Sequence, residues 1–151
     1  MMRMGHDEAL ALLGSAKLGR IVFTQHALPA IRPVNHILHR GLLILRTHAD
    51  AALTVQLARA GTEGIVVAYE ADVIDPDTHL GWSVIVTGRA RLVQDPATLA
   101  DYEEILEPWI DRTMDRTVTI EPEIVTGLRL TGETRQAGTT EGRPNGTARR
   151  P

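Results

Sequence analysis

The chain contains no cysteine, which excludes a disulfide framework, a thiolate-held zinc or iron–sulfur centre and a cysteine nucleophile. It also lacks any apolar run of the about eighteen residues that a membrane-spanning helix needs. Its start, Met1-Met2-Arg3-Met4-Gly5-His6, passes into Asp7-Glu8 without the apolar centre of a secretion signal. The expectation is a soluble, cytoplasmic protein with no membrane partner. An excess of positive charge is missing too. The formal net charge is −3, so nothing draws the chain to nucleic acid as a whole, and no nucleic-acid partner is expected. Lysine is nearly absent, Lys17 being the only one among 16 basic residues. Arginine suits fixed, forked contacts with anions, although a genomic bias toward arginine explains the same composition.

What is present fits one core. A chain of 151 residues, 43% of them hydrophobic, can bury a single good interior, and one domain over residues 1–130 is expected. Asp7 to Lys17 reads as a short helix, acidic at its start and basic at its end, closed near Gly19. Leu18 to Thr24, Leu28 to Leu38 and Leu42 to Thr47 read as an antiparallel meander, linked by Gln25-His26-Ala27 and His39-Arg40-Gly41. Asp50 is a candidate cap for a helix over Ala51 to Ala60, which stops at Gly61. Ile65 to Ala71 is a further strand, followed by the turn signal Asp75-Pro76-Asp77-Thr78.

Trp82 to Val93 is the longest strand candidate. Trp82, Val84, Val86, Gly88, Ala90 and Leu92 form an apolar or small face, and Ser83, Thr87, Arg89 and Arg91 interrupt the other. Asp95-Pro96 opens a helix over Ala97 to Leu106, ended by Pro108. Two short strands, Thr117 to Glu121 and Ile124 to Leu130, are expected with Pro122 between them. Residues 131–151 lose all large apolar side chains and read as a disordered tail. Strands with short helices between them, in a domain of this size, predict a mainly β fold: a small, Greek-key-like antiparallel β-barrel. No Gly-x-Gly-x-x-Gly turn follows a strand, which argues against a Rossmann site.

Polar groups inside the strand-like runs point to function. Arg32 and Asn35 lie in Ile31-Arg32-Pro33-Val34-Asn35-His36, and Arg46 and Thr47 end Leu43-Ile44-Leu45-Arg46-Thr47. Such groups are costly to bury without a polar partner, and a phosphate-bearing cofactor is one candidate. The ordered series Gly19-Arg20, Arg32-Pro33-Val34-Asn35, Leu45-Arg46-Thr47, Asp75-Pro76-Asp77-Thr78, Gly81-Trp82-Ser83-Val84 through Gly88-Arg89-Ala90, Ile120-Glu121-Pro122 and Val125-Thr126-Gly127 resembles the pyridoxamine 5′-phosphate oxidase-like, flavin-binding split-barrel superfamily. The resemblance runs from about Asp7 to Leu130 and is greatest to its small bacterial flavin-nucleotide-binding branch.

This resemblance implies a homodimer with FMN in a groove between two barrels. It implies that Arg32, Pro33, Val34 and Asn35 line the flavin and that Arg46 and Thr47 approach the phosphate. Ser83, with Trp82 beside it, would come from the other protomer. Where many relatives carry a lysine after the Arg-Thr strand, this chain reads His48-Ala49-Asp50-Ala51-Ala52-Leu53-Thr54. His48 and Thr54 are then the available donors, and the deazaflavin F420 becomes an alternative cofactor. The long C-terminal region of the pyridoxal-phosphate-forming enzymes has no counterpart here, so that oxidation is not expected.

Each residue also has a plainer reading. Arg46 at a strand end is, in an arbitrary protein, more often solvated. Asn35 and Pro33 suit a bulge and an edge, and Trp82 suits a core or a subunit interface. His36 and His39 should point to opposite faces of a strand, which argues against a metal site. Asp101, Glu103, Glu104 and Glu107 read as a solvated helix face, and no catalytic residue is nominated. The functional expectation is an FMN-dependent, or alternatively F420-dependent, oxidoreductase acting on a small organic molecule. The contrasting one is a flavin-, haem- or small-ligand-binding protein without turnover.

Overall fold

Period-two alternation is what this chain turns into structure. The computed structural model describes residues 1–48, 51–105 and 115–132. Within them lie β1 (Met2–Met4), α1 (His6–Ser15), β2 (Leu18–Gln25), β3 (Leu28–His39), β4 (Leu42–Thr47), α2 (Ala52–Ala60), β5 (Ile65–Ile74), β6 (Gly81–Leu92), α3 (Pro96–Ile105) and β7 (Arg116–Leu130). A 3-10 turn, Gly61–Glu63, joins α2 to β5. Every strand pairing is antiparallel, in the order β1-β7-β4-β3-β2-β5-β6, and β6 pairs back onto β7. Six strands therefore close a barrel, with β1 appended to β7. The run β5-β2-β3-β4 within it is a Greek key.

The core fills the barrel. Ile21, Phe23, Leu43, Leu45, Val67, Tyr69, Val84, Val86, Val118 and Ile120 point inward, joined by Ala9 and Leu13 of α1 and Leu53 and Leu57 of α2. The alternation expected of β6 holds: Trp82, Val84, Val86 and Ala90 are buried and Ile85 is exposed. Asp95 caps α3 through the Thr98 N–H at 3.0 Å. Asp75 accepts from the N–H groups of Asp77 and Thr78 at 2.8 and 3.1 Å, and these bonds hold its carboxyl below the usual range.

Four expectations need correction or limits. Pro122 does not break the last strand, because β7 is continuous and its register against β6 shifts at Thr87/Gly88. A proline without an N–H is tolerated at such a bulge. Gly88 sits opposite it, where a Cβ would collide with the Glu121 carbonyl oxygen. Helix α1 stops at Ser15 rather than Lys17, and β5 runs three residues past Ala71 to Ile74. Asp50, Leu106, Pro108 and residues 133–151 lie outside the described residues.

Candidate functional site

The barrel opens where β3 changes partner. From Leu28 to Asn35 it pairs with β2, and from His36 to His39 with β4. Strand β4 continues past Leu45 without β3, while Arg46 and Thr47 keep to β7, opposite Thr117 and Arg116. Between the departing strands a cleft of about 220 Å³ remains, with the start of α2 over it. Arg32, Pro33 and Val34 form one wall, and Leu45, Arg46, Thr47 and His48 the other. Ile21 and Phe23 of β2 contribute to the lining, as do Ala51, Ala52 and Leu53.

The cleft is apolar with positive groups at its edge. The Arg32 guanidinium lies 6.0 Å from the Phe23 ring centroid, at the outer limit of a cation–π contact, and donates to the Ile31 carbonyl at 2.8 Å. Among the described residues no carboxylate forms an ion pair with Arg32 or Arg46. Two arginines beside one apolar cleft have the chemistry to hold an anionic, partly apolar molecule.

The remaining candidates divide. Thr54 is 4% exposed and lies behind the lining, donating to the His48 carbonyl at 2.8 Å. Its single proton is thereby committed, so the Thr47 hydroxyl donates to the Thr54 oxygen at 2.6 Å. This pair ties the end of β4 to the first turn of α2, and Thr47 meets the cleft with a hydroxyl already used as a donor. Asn35 is half-buried beside Val34. Trp82 and Ser83 are not in this cleft: Trp82 is 8% exposed inside the barrel. Ser83 is half-buried and 3.5 Å from Glu70, to which its hydroxyl donates. Glu70 also pairs with Arg20 at 3.3 Å. Burial first, and then neighbouring Asp72, push the Glu70 carboxyl above its usual range against the pull of Arg20.

A model of the family described as pyridoxamine 5′-phosphate oxidase matches residues 5–133. The chain belongs to this family. Two relatives bear on its branch. The uncharacterized protein Rv0080 of Mycobacterium tuberculosis is 49% identical over 135 residues, 89% of each chain. The FAD binding protein from Mycobacterium smegmatis is 32% identical, with a TM-score of 0.70 over 85% of this chain and 98% of that one. A FAD-binding protein from Mesorhizobium loti shares the fold at a TM-score of 0.61 and 18% identity, over 83% of this chain and 95% of that one.

In this pyridoxamine 5′-phosphate oxidase family member the lining of the cleft, among the described residues, holds one histidine, His48, and no carboxylate. Sequence reasoning named the polar rim and missed the apolar floor, for which the alternation of Gly19, Ile21 and Phe23 was the available signal. It also missed a buried pair behind the cleft. His36 is 3% exposed, and Tyr69, fully buried, lies with its hydroxyl 2.5 Å from the His36 Nδ1. Burial lowers the His36 pKa, with the hydrogen bond to Leu13 opposing, and burial followed by the charge of Glu70 raises that of Tyr69. His39 falls on the opposite face, edge-on to Tyr102 of α3 with ring centroids 6.3 Å apart. Among the described residues no three potential metal ligands cluster, and no helix is long and apolar enough to cross a membrane.

Proposed function

We propose that this chain binds a flavin nucleotide, FMN first, in the cleft between β3, β4 and α2, and transfers hydride to or from a small organic substrate. The observation that carries this reading is the donor set, Arg32, Arg46 and His48 around apolar walls. A phosphate accepts from guanidinium forks, and a flat ring system suits the floor built by Ile21, Phe23 and Leu53. A bound flavin would supply the redox chemistry at its N5 atom, while the chain anchors, orients and excludes water. The relation to the FAD binding protein from Mycobacterium smegmatis supports a flavin as ligand.

A second copy of the chain completes the site in this reading. The cleft of about 220 Å³ is smaller than the roughly 300–1,000 Å³ that encloses a whole ligand. An outward row of Ile31, Val22, Ala68, Thr87 and Ile124 runs in register across five strands. Ile31 and Ile124 are 57% and 62% exposed, and Ile85 in the adjoining row is 43% exposed. This is a face suited to a like barrel. Ser83 lies on the same side of β6 as Ile85, and in this reading it reaches a partner's cleft, with Trp82 behind it inside the barrel.

The test is the absorbance spectrum of the purified protein, fluorescence titration with FMN, FAD and F420, and then addition of NAD(P)H followed by an electron acceptor. Binding of FMN with a complete cycle of reduction and reoxidation supports the oxidoreductase. Binding without the cycle leaves a ligand-carrying protein, F420 binding alone redirects the assignment to deazaflavin chemistry, and failure of all three ligands contradicts the reading.

A further inference from the structure

His36 plays no part in the anion chemistry of the cleft, yet it stands where the cleft begins. It is the first β3 residue paired with β4, opposite Leu45, while Val34 still pairs with Gly19 of β2. Its Nε2 lies 2.8 Å from the Leu13 carbonyl oxygen of α1. A carbonyl can only accept, so in the neutral ring Nε2 carries the hydrogen and Nδ1 accepts. The Tyr69 hydroxyl is 2.5 Å from that Nδ1 and 3.3 Å from the Val34 carbonyl oxygen. One phenolic hydrogen faces two acceptors, and the neutral imidazole takes it. Once His36 is protonated, Nδ1–H must donate to the Tyr69 oxygen, and the phenolic hydrogen turns to Val34. Val34 lines the cleft.

We propose that His36 is a positioning residue of the cleft: its protonation, relayed by Tyr69, moves a hydrogen bond onto the Val34 carbonyl and weakens flavin binding. The effect on binding rests on the flavin reading above, whereas the relay itself does not. The geometry sets the direction. Closing the 3.3 Å separation to a full hydrogen bond draws Val34, which pairs with Gly19 of β2, toward the barrel interior and so shifts the cleft wall that Val34 helps to form. Little else near the ring responds to pH. Tyr69 is the titratable group against it, with Glu70 acting on Tyr69 from the next position of β5. Leu13 presents a carbonyl from α1, Lys17 accepts the His36 backbone N–H through its carbonyl, and Gly19 of β2 and Leu45 of β4 are uncharged. Gly19 leaves room for the phenol, since a Cβ there would collide with the Tyr69 hydroxyl.

The experiment compares isotopically labelled wild type and Tyr69→Phe from about pH 8 to about pH 5, the range in which histidine titrates. It follows the His36 ring nitrogens and the Val34 carbonyl carbon by NMR, and FMN affinity by fluorescence. The Val34 carbonyl is expected to shift with the His36 midpoint in wild type and to stay still in Tyr69→Phe. FMN affinity should fall at least about fivefold more in wild type than in the variant on acidification, a comparison that cancels the titration of the FMN phosphate. His36→Gln, which cannot titrate, should also hold the Val34 signal still. A Val34 carbonyl that ignores His36, or a His36 that stays neutral until the chain unfolds, overturns the relay. An equal pH dependence of FMN affinity in both proteins overturns its effect on binding. If FMN binds at no pH, the flavin reading fails, and the NMR titration still decides the relay.

Discussion

The hydroxyl of Thr47 donates to Thr54, whose own proton goes to the His48 carbonyl, so in the proposed function the positive charge of Arg32 and Arg46 carries the anion recognition at the cleft. His36 shows the opposite arrangement, a titratable side chain held neutral by burial. A free histidine titrates at about 6.5, and the folded value lies lower. Between the two values the unfolded chain holds a proton that the folded chain does not. Stability from this residue is therefore complete above about pH 6.5 and is lost as the pH falls toward the folded value. Thermal melts of wild type should show a falling Tm below about pH 6.5, with a shallower slope in His36→Gln. Equal slopes would show that other groups set the acid limit. The arginines were legible in the sequence as charges inside strand-like runs, but His36 was not. Its partners Leu13 and Tyr69 lie 23 and 33 positions away, and no local pattern announces a contact made only when the barrel closes.

At the level of elements, alternation was readable wherever one face of a strand meets the core, which is why β2, β4 and β6 appear close to their expected bounds. The continuity of β7 was not readable, because a proline inside a strand is permitted only by the partner's register, and that register belongs to the pairing with β6. The cleft has the same origin: β3 leaves β4 for β2 at His36, while β4 runs on beside β7 to Thr47. Turn chemistry yields a local prediction. Gln25 pairs with Leu28, leaving His26 and Ala27 as a two-residue turn with φ of 51° and 61°. Side chains with a Cβ are disfavoured there by about 1–2 kcal/mol, and glycine is not. Ala27→Gly should therefore stabilise the protein by roughly 0.5–1 kcal/mol in urea unfolding, after the greater freedom of glycine in the unfolded chain is allowed for. A destabilised variant would place the turn in another conformation.

For the molecule as a whole, membership of the pyridoxamine 5′-phosphate oxidase family and the barrel were both legible in the ordered series of motifs, whereas the face on which the proposed second chain would complete the site was not. If two barrels meet through the outward face, Ile85→Asp places a charge in an interface of at least about 2,000 Å², the scale of an obligate dimer. Sedimentation should show a dimer for wild type and a folded monomer for Ile85→Asp, with FMN affinity lost alongside. A dimeric Ile85→Asp would move the interface to another face. The proposed function has a flavin in the cleft with its phosphate on Arg46. Its most direct test is a fluorescence titration of FMN against wild type and Arg46→Ala at one pH and salt concentration. Saturable binding to wild type, weakened by about 1.5–3 kcal/mol in Arg46→Ala, the scale of a charge-assisted hydrogen bond, is the predicted result. Equal affinity of the two proteins, or no binding to wild type, would contradict it.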